Sequence, residues 1–221
     1  MTTPKHHPAQ ECLLAYANGG MGEAESLLLA THLAFCPECR KVAQIGECLG
    51  SKLMDGAAVP VSASCRDKLF AALDSAPKPE PQIAASGASP ECFIPEPLRG
   101  YLGGAGCRAG VKQLDWQKNS EGQRSYRLPL TPSCCHRGAS AALIALDPLQ
   151  TLALPTTTER RAILVLCGQL SGDAEKYTTG DLVCAVAPPP LKAGDVACFC
   201  LLVSAPPKSW LQKFLRLIRC G

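Results

Sequence analysis

The spacing of apolar residues changes period once along the chain. From Pro8 to Leu73 apolar positions recur at helical intervals. Pro8 suits a first helical turn, Leu13, Leu14 and Ala17 mark one stripe, and Gly19–Gly20 end it. A second helix is predicted from about Gly22 to Phe35, with Ala24, Leu27, Leu28 and Thr31 at helical spacing. A third runs from about Glu38 to Leu49, stopped by Gly50, and a fourth from an N-cap at Ser64, with Asp67 three residues on, to Leu73. From Ala76 to Pro97 the chain is rich in proline and poor in large apolar residues, which predicts a linker. Beyond it, short runs rich in β-branched residues follow one another: Gln113–Trp116, Ser125–Leu130, Ala141–Leu146, Ile163–Leu166, Leu182–Val186 and Val196–Val203. Turn residues at Asp147–Pro148, Gly168, Ser171–Gly172–Asp173 and Gly180–Asp181 separate several of them. The expected fold class is therefore α + β in two domains: a small four-helix domain over residues 1–76, a linker over 77–97, an all-β barrel or sandwich over 98–206, and a basic amphipathic tail over 207–221.

Composition narrows this picture. The chain has 221 residues, 47% of them hydrophobic and 19% charged, which excludes wholesale disorder. No apolar run reaches the ~18 residues of a membrane helix, because Ala139–Leu154 is broken by Asp147 and Pro148. The start, MTTPKHHPAQEC, lacks the apolar core of a secretory signal, so the expected location is the cytoplasm. The net charge of +3 is too small to imply direct nucleic-acid binding. The positive excess is concentrated near the end, at Lys208, Lys213, Arg216 and Arg219. There Trp210, Leu211, Phe214, Leu215 and Ile218 share a helical face that would lie on an anionic surface or dock on the β domain or a partner.

A helical domain of sixty-odd residues buries only about 60% of its unfolded surface and usually borrows stability from a metal or a partner. Fourteen cysteines without a secretory signal point to thiols and metal rather than disulfides. In His32-Leu-Ala-Phe-Cys36-Pro-Glu-Cys39 the imidazole lies one helical turn before the first thiol, and the Cys-x-x-Cys folds the second back towards both. A tetrahedral structural site needs a fourth ligand, which His7 can supply, although His6 beside it could substitute. A Cys2His2 site suits Zn²⁺, which can contribute on the order of 10 kcal/mol of folding free energy. Cys12 and Cys48 read as small buried apolar residues, with oxidative disulfide exchange with the zinc thiolates as the alternative.

His7 followed by His32-x3-Cys36-x2-Cys39, in the setting LLAYANGGM and ATHLAFCPECR, resembles the zinc-binding anti-sigma domain of the ChrR family, whose members add a C-terminal cupin-like domain. The likeness is strong over the first 75 residues and weaker through PLRGYLG, ALIALDP, AILVLCGQLSGDAEKYTTGDLV and ACFCLLVSAPPKSW, which echo successive cupin strands. It implies a negative regulator of transcription that binds an ECF-type sigma factor with its helical domain and releases it under stress. It assigns one structural zinc to His7, His32, Cys36 and Cys39. It places the partner on apolar helix faces, for which Leu13, Leu14, Tyr16, Leu69, Phe70 and Leu73 are the candidate contacts.

The β part departs from the family pattern. Cupins of this family hold a metal with a His-x-His-x3-Glu motif and a later histidine, whereas the matching stretches here, Leu154–Arg161 and Ala187–Lys192, contain none. His6, His7, His32 and His136 are all the histidines of the chain, so a three-histidine cupin site cannot be built and a shell without the usual metal is expected. Glu159 stands alone. Cys167, Cys184, Cys198 and Cys200 offer thiol ligands, but Cys198 and Cys200 alternate on one strand face and read more simply as buried apolar residues. The adjacent Cys134 and Cys135 beside His136 read as loop. With no nucleophile triad, paired carboxylates or phosphate loop, catalysis is not expected. The competing readings are a thiol redox sensor, in which oxidation of Cys36 and Cys39 expels zinc, and a cupin-fold enzyme with atypical ligands.

Overall fold

The structure, a computed structural model, describes residues 3–56, 59–76, 94–102, 114–119, 121–131, 139–154, 160–172, 175–185 and 190–205. The tail, Cys134 to His136, Glu159 and most of the linker lie outside the described residues. No helix among those described is long and apolar enough to cross a membrane.

Four helices occupy the first part: α1 Gln10–Ala17, α2 Glu23–Phe35, α3 Pro37–Asp55 and α4 Ala63–Ser75. Two of them depart from the periodicity. Helix α3 continues through Gly50 to Asp55. Glycine inside a helix is unfavourable by only about 1 kcal/mol relative to alanine and does not stop it unless φ turns positive, and Gly50 is not among the positive-φ glycines. The cap of α4 is Ser62 rather than Ser64, its Oγ accepting the Cys65 N–H at 3.3 Å.

Helix α1 crosses α3 closely at Gly46, where an added Cβ would lie 2.8 Å from the Ala17 Cβ and 3.2 Å from Leu14 Cδ2. Leu13, Leu33, Cys36, Cys39 and Ala43 fill the small core below that crossing. Helix α4 buries none of its residues. A short fifth helix, α5 Glu96–Arg99, starts within the stretch expected to be linker and fully buries Leu98.

The rest is antiparallel β structure in two sheets, the all-β part expected after the linker. Strands β1 Gln117–Lys118, β2 Arg124–Arg127, β3 Ser140–Leu146, β4 Arg160–Cys167, β7 Leu182–Ala185 and β9 Cys198–Ala205 form one sheet in the order β1-β2-β3-β9-β4-β7. Strands β5 Gln169–Ser171, β6 Lys176–Thr178 and β8 Lys192–Ala193 form a second, ordered β6-β5-β8. Trp116 lies in a loop just before β1 rather than in the strand expected over Gln113–Trp116, of which Gln113 is not described. The three strands of the small sheet are too short to show a period of two.

The large sheet is covered on both faces. Ile144, Leu146, Ile163, Val165, Cys198 and Cys200 pack towards the small sheet, with Leu170, Tyr177 and Ala193. Leu143, Leu164, Leu201 and Val203 point the other way, against Ala24, Leu27 and Leu28 of α2 and Leu98 of α5. Burial on both sides is why ALIAL and AILVLC are continuous apolar runs. The helical and β parts thus share one core, and Glu23 adds a polar tie, accepting from Tyr101 Oη at 2.9 Å and from the Thr131 N–H at 2.8 Å.

Candidate metal centre

The centre is built where α2 hands over to α3. Helix α2 ends because Cys36 turns extended (φ −112°, ψ 102°), and Pro37 at the first position of α3 has no N–H to lose. Cys36 also caps α3, its Sγ accepting the Cys39 N–H at 3.4 Å. The thiol therefore sits at a helix N-terminus, where negative charge is stabilised. Arg40 reaches back over the joint and donates to the Leu33 carbonyl from Nε at 3.1 Å and Nη2 at 2.7 Å, satisfying an end carbonyl of α2.

His32 lies one turn before Cys36 and is fully buried. Its Nδ1 is 2.9 Å from the carbonyl oxygen of Gly180, which fixes Nδ1 as the donor. Its Nε2 is buried with no hydrogen-bond partner. His7 completes the group: its Nδ1 is 3.4 Å from each of the Cys36 and Cys39 sulfurs. One donor atom from each of His7, His32, Cys36 and Cys39 lies within 4.8 Å of the other three.

These distances test the donor set for zinc. Bonds of about 2.0–2.1 Å to nitrogen and 2.3 Å to sulfur put nitrogen and sulfur about 3.5 Å apart across a tetrahedral edge. The 3.4 Å separations match that edge, and the unpartnered Nε2 of His32 is the lone pair such an ion would take. Protonation agrees. Burial lowers His32, which keeps its imidazole in the neutral, ligating form. Burial, and then neighbouring Cys36, pushes the Cys39 thiol up, so two thiolates this close need a compensating cation. The residues fit one structural zinc.

The two neighbouring histidines separate cleanly. His6 faces away from the cluster, with Nδ1 3.4 Å from Asp181 Oδ1 and its ring 4.5 Å from that of Tyr177. Among the described residues this is the one group of three or more potential ligands that converges. Cys198 and Cys200, 3.6 Å apart at sulfur, lie fully buried in the apolar core between the sheets.

The candidate partner contacts divide by burial. Leu13 is 1% exposed and belongs to the core beside the zinc ligands, so it presents no surface. Tyr16 packs half-buried against that core. Leu14, Leu69, Phe70 and Leu73 are exposed, and so are Ile45, Leu49, Leu53 and Met54 of α3, which the sequence pattern did not single out.

The fold and the site together define a zinc-binding helical module packed on an antiparallel β shell. A zinc-finger family model matches residues 7–40, from the first ligand to one residue past the last. The anti-sigma-E factor ChrR of Cereibacter sphaeroides is 30% identical over 224 residues, covering 97% of each chain. The crystal structure of Rhodobacter sphaeroides SigE in complex with the anti-sigma ChrR matches with a TM-score of 0.69 and 26% identity, over 91% of this chain and 100% of that one. The chain belongs to the ChrR family of anti-sigma factors.

Proposed function

We propose that this protein holds an ECF-type sigma factor away from core RNA polymerase, acting in the cytoplasm as a negative regulator and not as an enzyme. The observation that carries this reading is the likeness to an anti-sigma factor along 97% of the chain, centred on the ligand set at the α2–α3 joint. Residues 1–76 are the gripping module, and the cupin-like part over 98–206 modulates release under stress.

Zinc supplies rigidity at the joint rather than chemistry. The chain's own contribution is its exposed apolar side chains. Leu14 of α1, Ile45, Leu49 and Leu53 of α3, and Leu69, Phe70 and Leu73 of α4 are all exposed, and these are the residues that a protein partner would cover.

The test is affinity purification of the tagged full chain from its native cytoplasm under reducing conditions, with mass spectrometry of what accompanies it. A stoichiometric ECF-type sigma factor, lost in the Cys36→Ser/Cys39→Ser variant, is the expected result. Its absence from a zinc-replete preparation would overturn the reading.

A further inference from the structure

The zinc ligand nearest the start of the chain has no helix or strand to hold it. His7 precedes α1, and residues 3–9 belong to no regular element. A ligand on a free segment would be drawn to the ion only at the expense of ordering that segment. The structure shows what orders it. Asp181 is fully buried in the turn between β6 and β7. Its Oδ1 accepts the backbone N–H groups of Lys5 at 2.6 Å and His6 at 2.8 Å. Its Oδ2 accepts the Thr178 N–H at 2.7 Å and the Thr178 hydroxyl at 3.0 Å. The carboxylate is thus saturated, half by its own turn and half by the chain start.

Two further contacts converge there. The Leu182 N–H donates to the His6 carbonyl at 3.1 Å, so His6 is held on both sides of its Cα by consecutive residues of one turn. The residue before Asp181 supplies the carbonyl that receives His32 Nδ1 at 2.9 Å. One turn of the β part therefore orients two of the four ligands: Gly180 directly sets the ring of His32, and Asp181 sets the backbone from which His7 projects.

We propose that Asp181 is a positioning residue for the zinc site, so that the hold on zinc is governed by the β6–β7 turn of the β part. This rests on the zinc reading above. The consequence is regulatory: any event in the β part that displaces this turn loosens His7 and His32 together, without touching a thiol.

The test compares the full chain with D181N and T178V, each loaded with zinc, by the rate at which a chromogenic chelator extracts the metal. Groups bonded directly to a ligand ring tune metal affinity by about ten- to a hundred-fold; Asp181 acts one step further out, through the backbone of Lys5 and His6, so D181N should release zinc faster by up to about ten-fold. T178V, which removes one of the bonds on the carboxylate and leaves both chain-start bonds, should fall between it and the parent. With cobalt(II) in place of zinc, D181N should show an altered visible ligand-field spectrum, because a loosened His7 changes the coordination; a merely structural loss elsewhere would leave the spectrum alone. Unchanged release and spectrum in a folded D181N would overturn the proposal. Should D181N fail to fold, release from T178V at the parental rate would overturn it and faster release would support it. A parent protein that takes up no zinc would instead sink the zinc reading itself, which keeps the two failures distinct.

Discussion

The Nδ1 of His32 and the carbonyl oxygen of Gly180 lie 2.9 Å apart, joining a zinc ligand on α2 to a turn 148 residues later. Gly180 can occupy that turn because of what it lacks. Its φ is +91°, and an added Cβ would fall 2.7 Å from Pro4 Cγ and 2.9 Å from Phe35 Cβ. Gly180→Ala should therefore lower stability by about 1–3 kcal/mol through backbone strain, with the clash on top. Equilibrium urea unfolding measures this, and a loss below a few tenths would contradict it.

A second glycine gives a sharper test because two effects oppose each other. Inside a helix, glycine to alanine is ordinarily stabilising by up to about 1 kcal/mol. At Gly46 the new methyl would meet the Ala17 Cβ at 2.8 Å, between two packed helices. Overpacking of that kind is destabilising by about 1–3 kcal/mol. Gly46→Ala should come out net destabilised in thermal unfolding, whereas a gain would mean that α1 and α3 separate freely.

Metal uptake should release protons in a particular pattern. Cys39 is pushed up by burial and by Cys36, so it is a thiol at neutral pH and must shed its proton to ligate. His32 is pushed down by burial and gives up none. Zinc added in weak buffer should acidify the solution, and zinc affinity should fall as pH is lowered. Removal of zinc by a chelator should lower the far-ultraviolet helical signal, since α1 and the start of α3 then lose the centre of their small core. A helical signal indifferent to the chelator would refute a structural role.

Tyr177 reports on the turn from the alkaline side. Its hydroxyl donates to Glu175 Oε2 at 2.5 Å, and that bond, followed by burial, raises it to about 12. The folded value lies above the ordinary value of about 10, so the associated stability is complete below pH 10 and disappears as pH rises from there towards 12. A spectrophotometric titration should show a tyrosine ionising near 12 that Tyr177→Phe removes.

Leu69, Phe70 and Leu73 are each more than half exposed. Replacing any of them by aspartate should change folding stability by no more than about 0.5 kcal/mol. The same changes should sharply weaken capture of the sigma factor. A folded triple variant that still captures it would move the binding face off α4.

Much of this was legible beforehand. A histidine one turn before a Cys-Pro-x-Cys implies convergence on local geometry alone, and the helical stripe of α2 was plain. What escaped was whatever depends on distant partners. Ala24, Leu27 and Leu28 read as the face of a four-helix core, yet they lie on a sheet whose strands are more than a hundred residues away. Gly180–Asp181 read as punctuation between strands. A buried aspartate following a positive-φ glycine is a ligand cradle only once the start of the chain is known to reach it. Leu13 and Leu14 show the same limit in miniature, since adjacent leucines on one short helix give no sign of which is 1% exposed and which is 38%.

The core shared by α2 and the large sheet bears on any attempt to study the halves apart. A polypeptide halted at residue 76 would retain every zinc ligand, yet Ala24, Leu27 and Leu28 would be stripped of the strands that cover them. Such a fragment would meet water with a bare oily stripe. It would be inclined to self-associate and could grip a partner with a surface that the intact molecule keeps hidden, so its affinity would describe the fragment rather than the protein.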